Sequence, residues 1–333
     1  MTVKVAINGF GRVGRLAYRR IQELNSTELE VTAINDLVSK QELAYLLKYD
    51  TAQGPLPYTV ETDGDSIFID GKEVQTFAET DASKLPWGQL DIDVVLECTG
   101  SYTSADKSRT HLEAGAKKVM ISAPPKDEVT KIGVYGVNES TLTKDDRIVS
   151  AASCTTNALA LMTKILVDEF GIQRGLITGS RAYTASQSLQ DAPGGRKKRA
   201  GAQNIIPTTT GASSAVGKVI PEVDGIITGT STRVPVITAG FVELYSVLGR
   251  QVTVDEINRV MKGAESDFYG YTEDEVVSSD IIGDTHGSIF DGTLTEVMDA
   301  NDGQLVKTVA WYDNEYGFVS NMIRLLEYFS HLG

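Results

Sequence analysis

A glycine pattern close to the N-terminus constrains the fold more than any other feature of the sequence. Its six residues are Gly9, Phe10, Gly11, Arg12, Val13 and Gly14. The pattern follows the apolar stretch "VKVAINGF", which predicts a strand, and opens "GRLAYRRIQELN", whose apolar spacing predicts a helix. Asp36 stands 22 residues after Gly14, at the end of a second predicted strand. A lone G-x-G-x-x-G is weak evidence, but this full context is the dinucleotide-binding signature.

Each part of this signature has a physical role in holding a dinucleotide. Gly9 permits the tight turn, Gly11 lets the backbone approach the pyrophosphate, and Gly14 allows close packing of the helix on the strand. The helix N-terminus offers unpaired N–H groups and a positive dipole end to the phosphates. Asp36 would accept hydrogen bonds from the adenosine ribose hydroxyls and repel a 2′-phosphate, which favours NAD over NADP. The alternative is a glycine-rich strand–helix turn that binds nothing.

The pattern of predicted elements changes along the chain. The first part alternates strands and helices, which favours a parallel sheet wound with helices. An antiparallel insertion interrupts it, with turn signals at Asp63-Gly64 and Asp70-Gly71. From about residue 172 long strands surround one predicted helix, which indicates a second, α+β domain with a mostly antiparallel sheet. The last predicted helix has one apolar face, made of Phe318, Met322, Leu325, Leu326 and Phe329.

Composition and charge exclude several classes of protein. The formal net charge of −14 argues against nonspecific binding to nucleic acid or to an anionic membrane, although a locally basic pocket can still hold an anionic substrate. The sequence has no apolar signal segment and no run of about 18 apolar residues typical of a membrane span. Its two cysteines make neither a disulfide framework nor a metal-binding spacing. We therefore expect no metal site and a reducing, cytoplasmic setting.

One of the two cysteines, Cys154, lies where a helix is predicted to begin. Ser153 is a good N-cap before the apolar-periodic stretch "ALALMTKIL", and the helix is predicted to end at Gly171. Cys154 therefore falls in the first turn, where the helix dipole and free N–H groups stabilise a thiolate and favour a nucleophile. The alternative for Cys154 is a small core residue. Cys98, inside the apolar stretch "DVVLECTG", is interpreted as such a core residue.

Further motifs are spread along essentially the whole chain. They are "INGFGRVGR", "IND", "LLKYDTAQG", "SCTTN", "AYT", "NIIPTTTGA", "TRVP", "VSSDIIG" and "WYDNEYGF". On these motifs the sequence resembles the glyceraldehyde-3-phosphate dehydrogenase family, the phosphorylating, NAD-dependent enzymes of glycolysis. The combination of "SCTTN" with "WYDNE" is highly specific. A sister enzyme that acts on erythrose 4-phosphate shares most of these motifs.

The resemblance implies a thioester mechanism. The Cys154 thiolate would attack the aldehyde of D-glyceraldehyde 3-phosphate to give a hemithioacetal, and hydride would pass to the nicotinamide. Inorganic phosphate would then displace the thioester as an acyl phosphate, 1,3-bisphosphoglycerate.

Anion sites and a cofactor contact are carried over position by position. The residues implied for the substrate phosphate are Thr184 and Arg233, and those for the attacking phosphate are Ser153, Thr155, Thr210 and Gly211. Asn314 would hold the nicotinamide carboxamide. Hydroxyls, backbone N–H groups and a guanidinium are the groups that phosphate oxygens require. The alternative for Arg233 is a surface salt bridge.

The sequence departs from the family at the position of the catalytic base. In the family a histidine precedes "AYT", whereas Arg181 holds that position here. Arginine stays protonated and cannot accept the cysteine proton, but its charge and its donors can hold a thiolate or a developing oxyanion. The histidines of the chain are His111, His286 and His331. His111 and His331 are poorly placed to act as the base, and His286 stays open as a less favoured substitute. General acid–base catalysis contributes about 10²–10⁴-fold, so impaired turnover is predicted.

A second departure is the segment 191–203, which is shorter than in the family. Its basic cluster, residues 196–199, is interpreted as a solvated loop. In relatives the equivalent loop lies at a subunit interface near the cofactor, so the shortening bears on cofactor affinity and assembly.

The resemblance also implies domain limits and partners. Residues 1–151 would form the NAD-binding Rossmann domain, completed by a helix over 315–333, and residues 152–314 the catalytic domain. A cytoplasmic homotetramer would act on glyceraldehyde 3-phosphate and inorganic phosphate, with no nucleic-acid or membrane partner. Two alternatives stay open: an erythrose-4-phosphate dehydrogenase, and a weakly active paralogue that binds NAD and sugar phosphate in a sensing or interaction role.

Overall fold

The computed structural model describes residues 2–25, 27–300 and 303–332. These residues form two units. The first unit extends to Ala152 and resumes at Met322, and the second unit is Ser153–Asn321.

The first unit contains nine strands within the described residues. They are β1 (Val3–Asn8), β2 (Leu29–Asn35), β3 (Val60–Asp63), β4 (Ser66–Ile69), β5 (Lys72–Phe77), β6 (Val94–Glu97), β7 (Lys118–Ile121), β8 (Lys131–Ile132) and β9 (Ile148–Ser150). Their order across one sheet is β3-β4-β5-β2-β1-β6-β7-β9-β8. Neighbours from β5 to β8 are parallel, whereas β3, β4 and β5 form the antiparallel insertion that the turn signals predict. The accompanying helices are α1 (Arg12–Glu23), α2 (Lys40–Lys48) and α3 (Ala105–Glu113).

The second unit has eight strands in the part of the chain that the structure describes. They are β10 (Ile172–Ala182), β11 (Ile206–Thr209), β12 (Ile227–Val234), β13 (Gly240–Leu248), β14 (Tyr269–Thr272), β15 (Ser288–Asp291), β16 (Glu296–Ala300) and β17 (Gly303–Tyr312). The order is β11-β12-β10-β13-β17-β15-β14, and β16 pairs with β17. Only the pairs β10–β12 and β14–β15 are parallel among these strands. The helices are α4 (Cys154–Phe170), α5 (Ala212–Val219) and α6 (Val254–Gly263). The predicted fold class is thus confirmed.

The last helix, α7 (Tyr316–Ser330), carries the apolar face that the sequence predicts, and the division between the two units falls within it. All five residues of that face are buried. In the first unit, the Lys118 ammonium group donates hydrogen bonds to the carbonyl oxygens of Phe329 and Leu332, each at 2.7 Å. These bonds satisfy carbonyl groups at the helix end, which have no partner within the helix.

Long strands are expected after about residue 172, and the apolar stretch "STRVPVITAGFVELYSVL" within that region contains the end of β12 and the whole of β13 instead of one continuous strand. Pro235 directly follows β12 and has no N–H to donate to a sheet ladder. Ala239, directly before β13, has a positive φ of 70°. Pro235 and Ala239 together interrupt the strand. The spacing of apolar residues does not indicate this interruption. The helix α5 was also not predicted.

A buried polar cluster joins three elements of the first unit around the Glu97 carboxyl group. This group accepts hydrogen bonds from Asn8 Nδ2 at 2.6 Å, from the Thr99 backbone N–H at 2.7 Å and from the Thr99 hydroxyl. His111 Nε2 lies 3.2 Å from the same carboxyl, and Trp87 Nε1 lies 3.2 Å from His111 Nδ1. Because an indole N–H only donates, Nδ1 must accept, and the imidazole proton on Nε2 points to Glu97. His111 is therefore a structural residue at the end of the sheet.

We expect His111→Ala to lower the free energy of unfolding by about 3 kcal/mol, because it leaves the Trp87 N–H without an acceptor and opens a cavity. Urea denaturation followed by circular dichroism measures this loss. The control is His331→Ala, because His331 is exposed, and it should change stability by less than about 0.5 kcal/mol. Equal effects of the two substitutions would contradict the structural role of His111.

Candidate active site

The glycine loop of the first unit has the close backbone contacts that its sequence predicts. Gly9 has a positive φ of 91°, which an L side chain rarely adopts. A Cβ atom at Gly14 would lie 2.2 Å from the Gly9 carbonyl oxygen, so any side chain there would push α1 away from β1. A Cβ atom at Gly11 would meet no atom within 4 Å. The backbone at Gly11 is therefore open to a ligand, and Gly11, as the N-cap residue of α1, makes no side-chain hydrogen bond to the first turn.

Asp36 lies beside this loop, at the wall of a cavity of about 680 Å³. Its carboxylate accepts the Phe10 N–H at 2.7 Å and the Val38 N–H at 3.0 Å. These two bonds fix the carboxylate and leave lone pairs for ribose hydroxyl groups. The Arg12 guanidinium pairs with Asp50 at 2.7 Å, so Arg12 would contact a nucleotide through its backbone. The cavity and the loop fit a dinucleotide.

Cys98 differs from its expected place. It directly follows β6 instead of lying inside the strand, and it lines the same cavity as Asp36. Burial raises the pKa of its thiol to about 12. Cys98 is therefore a protonated, weakly reactive thiol at neutral pH, although it is not a residue of the strand core.

Cys154 is the first residue of α4, as the sequence predicts. The Ser153 hydroxyl caps the helix by accepting the Thr156 N–H at 3.2 Å. The helix forms here because the apolar residues that follow are almost all buried, and it ends at Gly171, whose φ is 69°. Cys154 itself is half-buried and lies at the positive end of the helix dipole.

Thr155 connects Cys154 to two other elements of the second unit. Its hydroxyl oxygen lies 3.9 Å from Cys154 Sγ and 2.9 Å from the hydroxyl oxygen of Tyr312, at the end of β17. Arg181, near the end of β10, donates to the same oxygen from Nη1 at 3.3 Å. Burial, and secondarily the nearby Cys154, raises the pKa of Tyr312, so this phenol stays protonated.

Two arginines face the same region from neighbouring strands. Arg181 and Arg233 are directly paired in the parallel ladder of β10 and β12. Arg233 donates to the Ala182 carbonyl at 2.7 Å, and Arg181 donates to the Thr209 carbonyl at 3.4 Å. Burial and the charge of Arg181 lower the pKa of Arg233. The Arg181 Nε atom is buried and makes no hydrogen bond in the described structure, so this guanidinium is incompletely satisfied.

A cavity of about 430 Å³ opens beside these arginines. It is lined by Arg181, Ser186, Gln187, Gly194, Lys197, Lys198, Thr208, Thr209 and Arg233. Four of these described residues are cationic and none is acidic, so the cavity favours an anion. Lys197 and Lys198 belong to the cluster interpreted as a solvated loop, and that interpretation missed their contribution to the cavity. The loop folds back through hydrogen bonds that no local pattern indicates, such as Ala200 N–H to Asp191 at 3.0 Å.

The other residues implied for phosphate binding lie near this cavity or at a helix end. The Thr184 hydroxyl is hydrogen-bonded to Ser186 Oγ at 2.7 Å and to Gln187 Oε1 at 3.3 Å, and both partners line the cavity. Thr210 accepts the Ala212 N–H at 3.1 Å, and Gly211 precedes the first turn of α5. Thr210 and Gly211 thus lie at the N-terminus of α5, a helix that the sequence pattern does not predict.

Asn314 and His286 are the remaining candidates of the second unit. The Asn314 side chain accepts a hydrogen bond from the Thr238 hydroxyl at 3.1 Å. His286 is paired through Nδ1 with Asp284 at 2.8 Å and is not among the residues that line the basic cavity. In the described part of the chain, none of the helices combines the length and the apolar character that a membrane span requires. No group of three or more His, Cys, Asp or Glu side chains that could hold a metal ion occurs in those residues.

Both units match models of one known protein family. The family model for the glyceraldehyde 3-phosphate dehydrogenase NAD binding domain matches residues 3–105, and the model for the C-terminal domain of the same family matches residues 153–314. The glyceraldehyde-3-phosphate dehydrogenase of Clostridium pasteurianum is 51% identical over 99% of both chains. That of Lactobacillus delbrueckii subsp. bulgaricus is 51% identical over 100% of both chains, and that of Clostridium acetobutylicum is 50% identical over 99% of both.

A nucleotide-binding first unit and a second unit with a cysteine at a helix N-terminus define an NAD-dependent oxidoreductase. The chain belongs to the glyceraldehyde-3-phosphate dehydrogenase family. NAD is its cofactor.

We expect NAD to bind at least about tenfold more tightly than NADP, because the Asp36 carboxylate would repel a 2′-phosphate. Calorimetry with both cofactors measures the ratio. Asp36→Asn keeps the shape of the side chain and removes its charge, so it should reduce the ratio of NAD affinity to NADP affinity. Equal affinities of the unaltered protein for the two cofactors would count against the role of Asp36.

A brief pulse of iodoacetamide at neutral pH should label Cys154 and leave Cys98 unmodified. The helix N-terminus favours the Cys154 thiolate, whereas the Cys98 thiol, with its pKa raised to about 12, stays protonated. Mass spectrometry of the digested protein locates the label, and Cys154→Ser serves as the control that should lose rapid labelling. Preferential labelling of Cys98 would overturn the assignment.

Proposed function

We propose that the protein oxidises and phosphorylates D-glyceraldehyde 3-phosphate to 1,3-bisphosphoglycerate in glycolysis, with Cys154 as the nucleophile. The observation that carries this proposal is the position of Cys154 at the N-terminus of α4, connected through Thr155 to Arg181. The basic cavity beside Arg181 and Arg233 suits a phosphorylated substrate.

The proposed steps follow from the chemistry of the thiolate. The Cys154 thiolate adds to the aldehyde carbon to give the hemithioacetal alkoxide, and loss of hydride from that carbon then gives the thioester with no proton left to remove. Bound NAD supplies the hydride acceptor. A phosphate oxygen then attacks the thioester carbon, the carbon–sulfur bond breaks, and the Cys154 thiolate is regenerated as the acyl phosphate leaves. Guanidinium and hydroxyl donors near Cys154 would stabilise the oxyanions of both additions.

The binding roles are proposed residue by residue. The substrate phosphate would be held by Arg233 and Thr184, with Lys197 and Lys198 adding positive charge. The attacking phosphate would be held by Ser153, Thr155, Thr210 and Gly211. The cofactor would be held by Gly9, Phe10, Gly11, Arg12, Val13, Gly14, Asp36 and Asn314. The functional domains would be residues 1–151 with 315–333 and residues 152–314, in a cytoplasmic homotetramer.

Turnover is proposed to be slow because Arg181 stands where the family has its histidine base. A guanidinium can hold a thiolate by its charge, but it cannot take the proton of the Cys154 thiol at neutral pH. Water or phosphate must then remove that proton, and the contribution of a positioned base is lost.

The decisive experiment measures NADH formation with glyceraldehyde 3-phosphate and with erythrose 4-phosphate, each with and without inorganic phosphate. Phosphate-dependent oxidation of the triose in preference to the tetrose supports the proposal. Preference for erythrose 4-phosphate supports the sister activity. Tight binding of NAD and sugar phosphate without measurable turnover supports a sensing paralogue instead.

We expect Arg181→His to raise the phosphate-dependent rate at least tenfold, because a restored imidazole could take the thiol proton and return it, a contribution of about 10²–10⁴-fold in favourable geometry. NAD affinity is measured alongside and should stay unchanged. The matched control is Arg181→Gln, which removes the charge without supplying a base and should not raise the rate. An unchanged or lower rate for Arg181→His would mean that the site has adapted around arginine.

A further inference from the structure

The Thr155 hydroxyl lies close to three polar groups. The donor and the acceptor of each of its hydrogen bonds can be assigned from the number of hydrogens and lone pairs that each group has. Its oxygen is within reach of Arg181 Nη1 at 3.3 Å, Tyr312 Oη at 2.9 Å and Cys154 Sγ at 3.9 Å. Thr155 is only 1% exposed, so solvent does not compete for these contacts. A hydroxyl group has one hydrogen and two lone pairs, so three partners use its full capacity.

Two of the three partners must donate to Thr155. A guanidinium has donors only, so Arg181 takes one lone pair. The Tyr312 hydroxyl is buried, and Thr155 is its only hydrogen-bond partner among the described residues. If Tyr312 accepted instead, its own hydrogen would be buried without an acceptor, which is costly. Tyr312 therefore donates to the second lone pair.

Among the described residues, the remaining hydrogen of Thr155 has one acceptor within reach, Cys154 Sγ. We propose that Arg181 is a positioning residue that, together with Tyr312, turns the Thr155 hydroxyl toward Cys154 and so stabilises the thiolate. The inference rests on the proposed role of Cys154 as nucleophile and adds the path by which Arg181 acts on it. A hydrogen bond to the charged form of a group favours that form.

This arrangement also affects when Thr155 can meet a phosphate oxygen. While Cys154 is a thiolate, the only hydroxyl hydrogen of Thr155 points to sulfur and is not free for a phosphate. Once the sulfur is part of an uncharged thioester, that hydrogen can turn to the attacking phosphate. Arg181 thus links one hydroxyl to the charge state of the nucleophile.

The competing explanation is that the charge of Arg181 acts on Cys154 directly through space. The two explanations differ in one respect: action through Thr155 requires the hydroxyl group, whereas action by charge does not. A double-mutant cycle separates them, because residues that act through one another are not additive.

The test compares the rate of Cys154 alkylation by iodoacetamide, as a function of pH, in the unaltered protein, Arg181→Met, Thr155→Val and the double variant. We expect each single variant to slow alkylation at neutral pH by about tenfold and to move the pH profile to higher pH. In the Thr155→Val background, Arg181→Met should change the rate by less than about twofold. The control is Arg233→Met, because Arg233 donates to Ala182 and not to Thr155, and its effect should be equal in both backgrounds.

Three results would overturn the proposal. They are an equal effect of Arg181→Met in both backgrounds, no effect of Arg181→Met in the unaltered background, and a dependence of the Arg233→Met effect on Thr155. If Arg181→Met does not fold, Tyr312→Phe in the same two backgrounds gives the same comparison. Alkylation needs neither aldehyde nor NAD nor phosphate, so a protein without dehydrogenase activity can still confirm or refute this inference.

Discussion

The register between β10 and β12 is the constraint on which the second unit's site depends. It pairs Arg181 with Arg233 in a parallel ladder, and paired residues of parallel strands share one face of the sheet. Two guanidinium groups side by side repel each other, and each is held in place by a backbone carbonyl. The described residues that line the adjoining cavity include no acidic residue, so the positive charge of the two arginines is not neutralised there. An arriving phosphate would therefore be attracted by a field that the fold has already built.

The features that sequence predicts well here are those set by local chemistry. The glycine loop requires a positive φ at Gly9 and leaves no room for a Cβ atom at Gly14. Glycine at these two positions satisfies both requirements. The cap at Ser153 and the stop at Gly171 likewise depend on residues within the helix or next to it. The apolar face of α7 follows from helical periodicity alone. In each case the cause and its effect lie within a few residues of each other.

The features that sequence did not predict depend on partners far apart in the chain. Thr155 is hydrogen-bonded to Arg181 and to Tyr312, which lie 26 and 157 residues further along the chain. Lys197 and Lys198 line the cavity only because residues 195–198 fold back against β11. A run of basic residues has the same pattern whether it is solvated or lines a cavity, so composition cannot distinguish the two. The resemblance to a family implies the individual residues, but it does not imply the contacts of Arg181, because the sequence analysis expects a histidine at that position in the family.

Two polar clusters of this protein differ in whether their buried polar groups all have hydrogen-bond partners. This difference distinguishes a structural cluster from one that suits a ligand. In the first unit, the Glu97 carboxyl receives donors from Asn8, Thr99 and His111, so the cluster has little need of a ligand and stabilises the end of the sheet. In the second unit, Arg181 makes two long hydrogen bonds and keeps a buried Nε without a partner. A buried donor without an acceptor is unfavourable, so an anion that accepted this hydrogen bond would remove part of that cost. Under the proposed mechanism, Arg181 in place of a histidine base would weaken proton transfer and would strengthen anion binding at the same site.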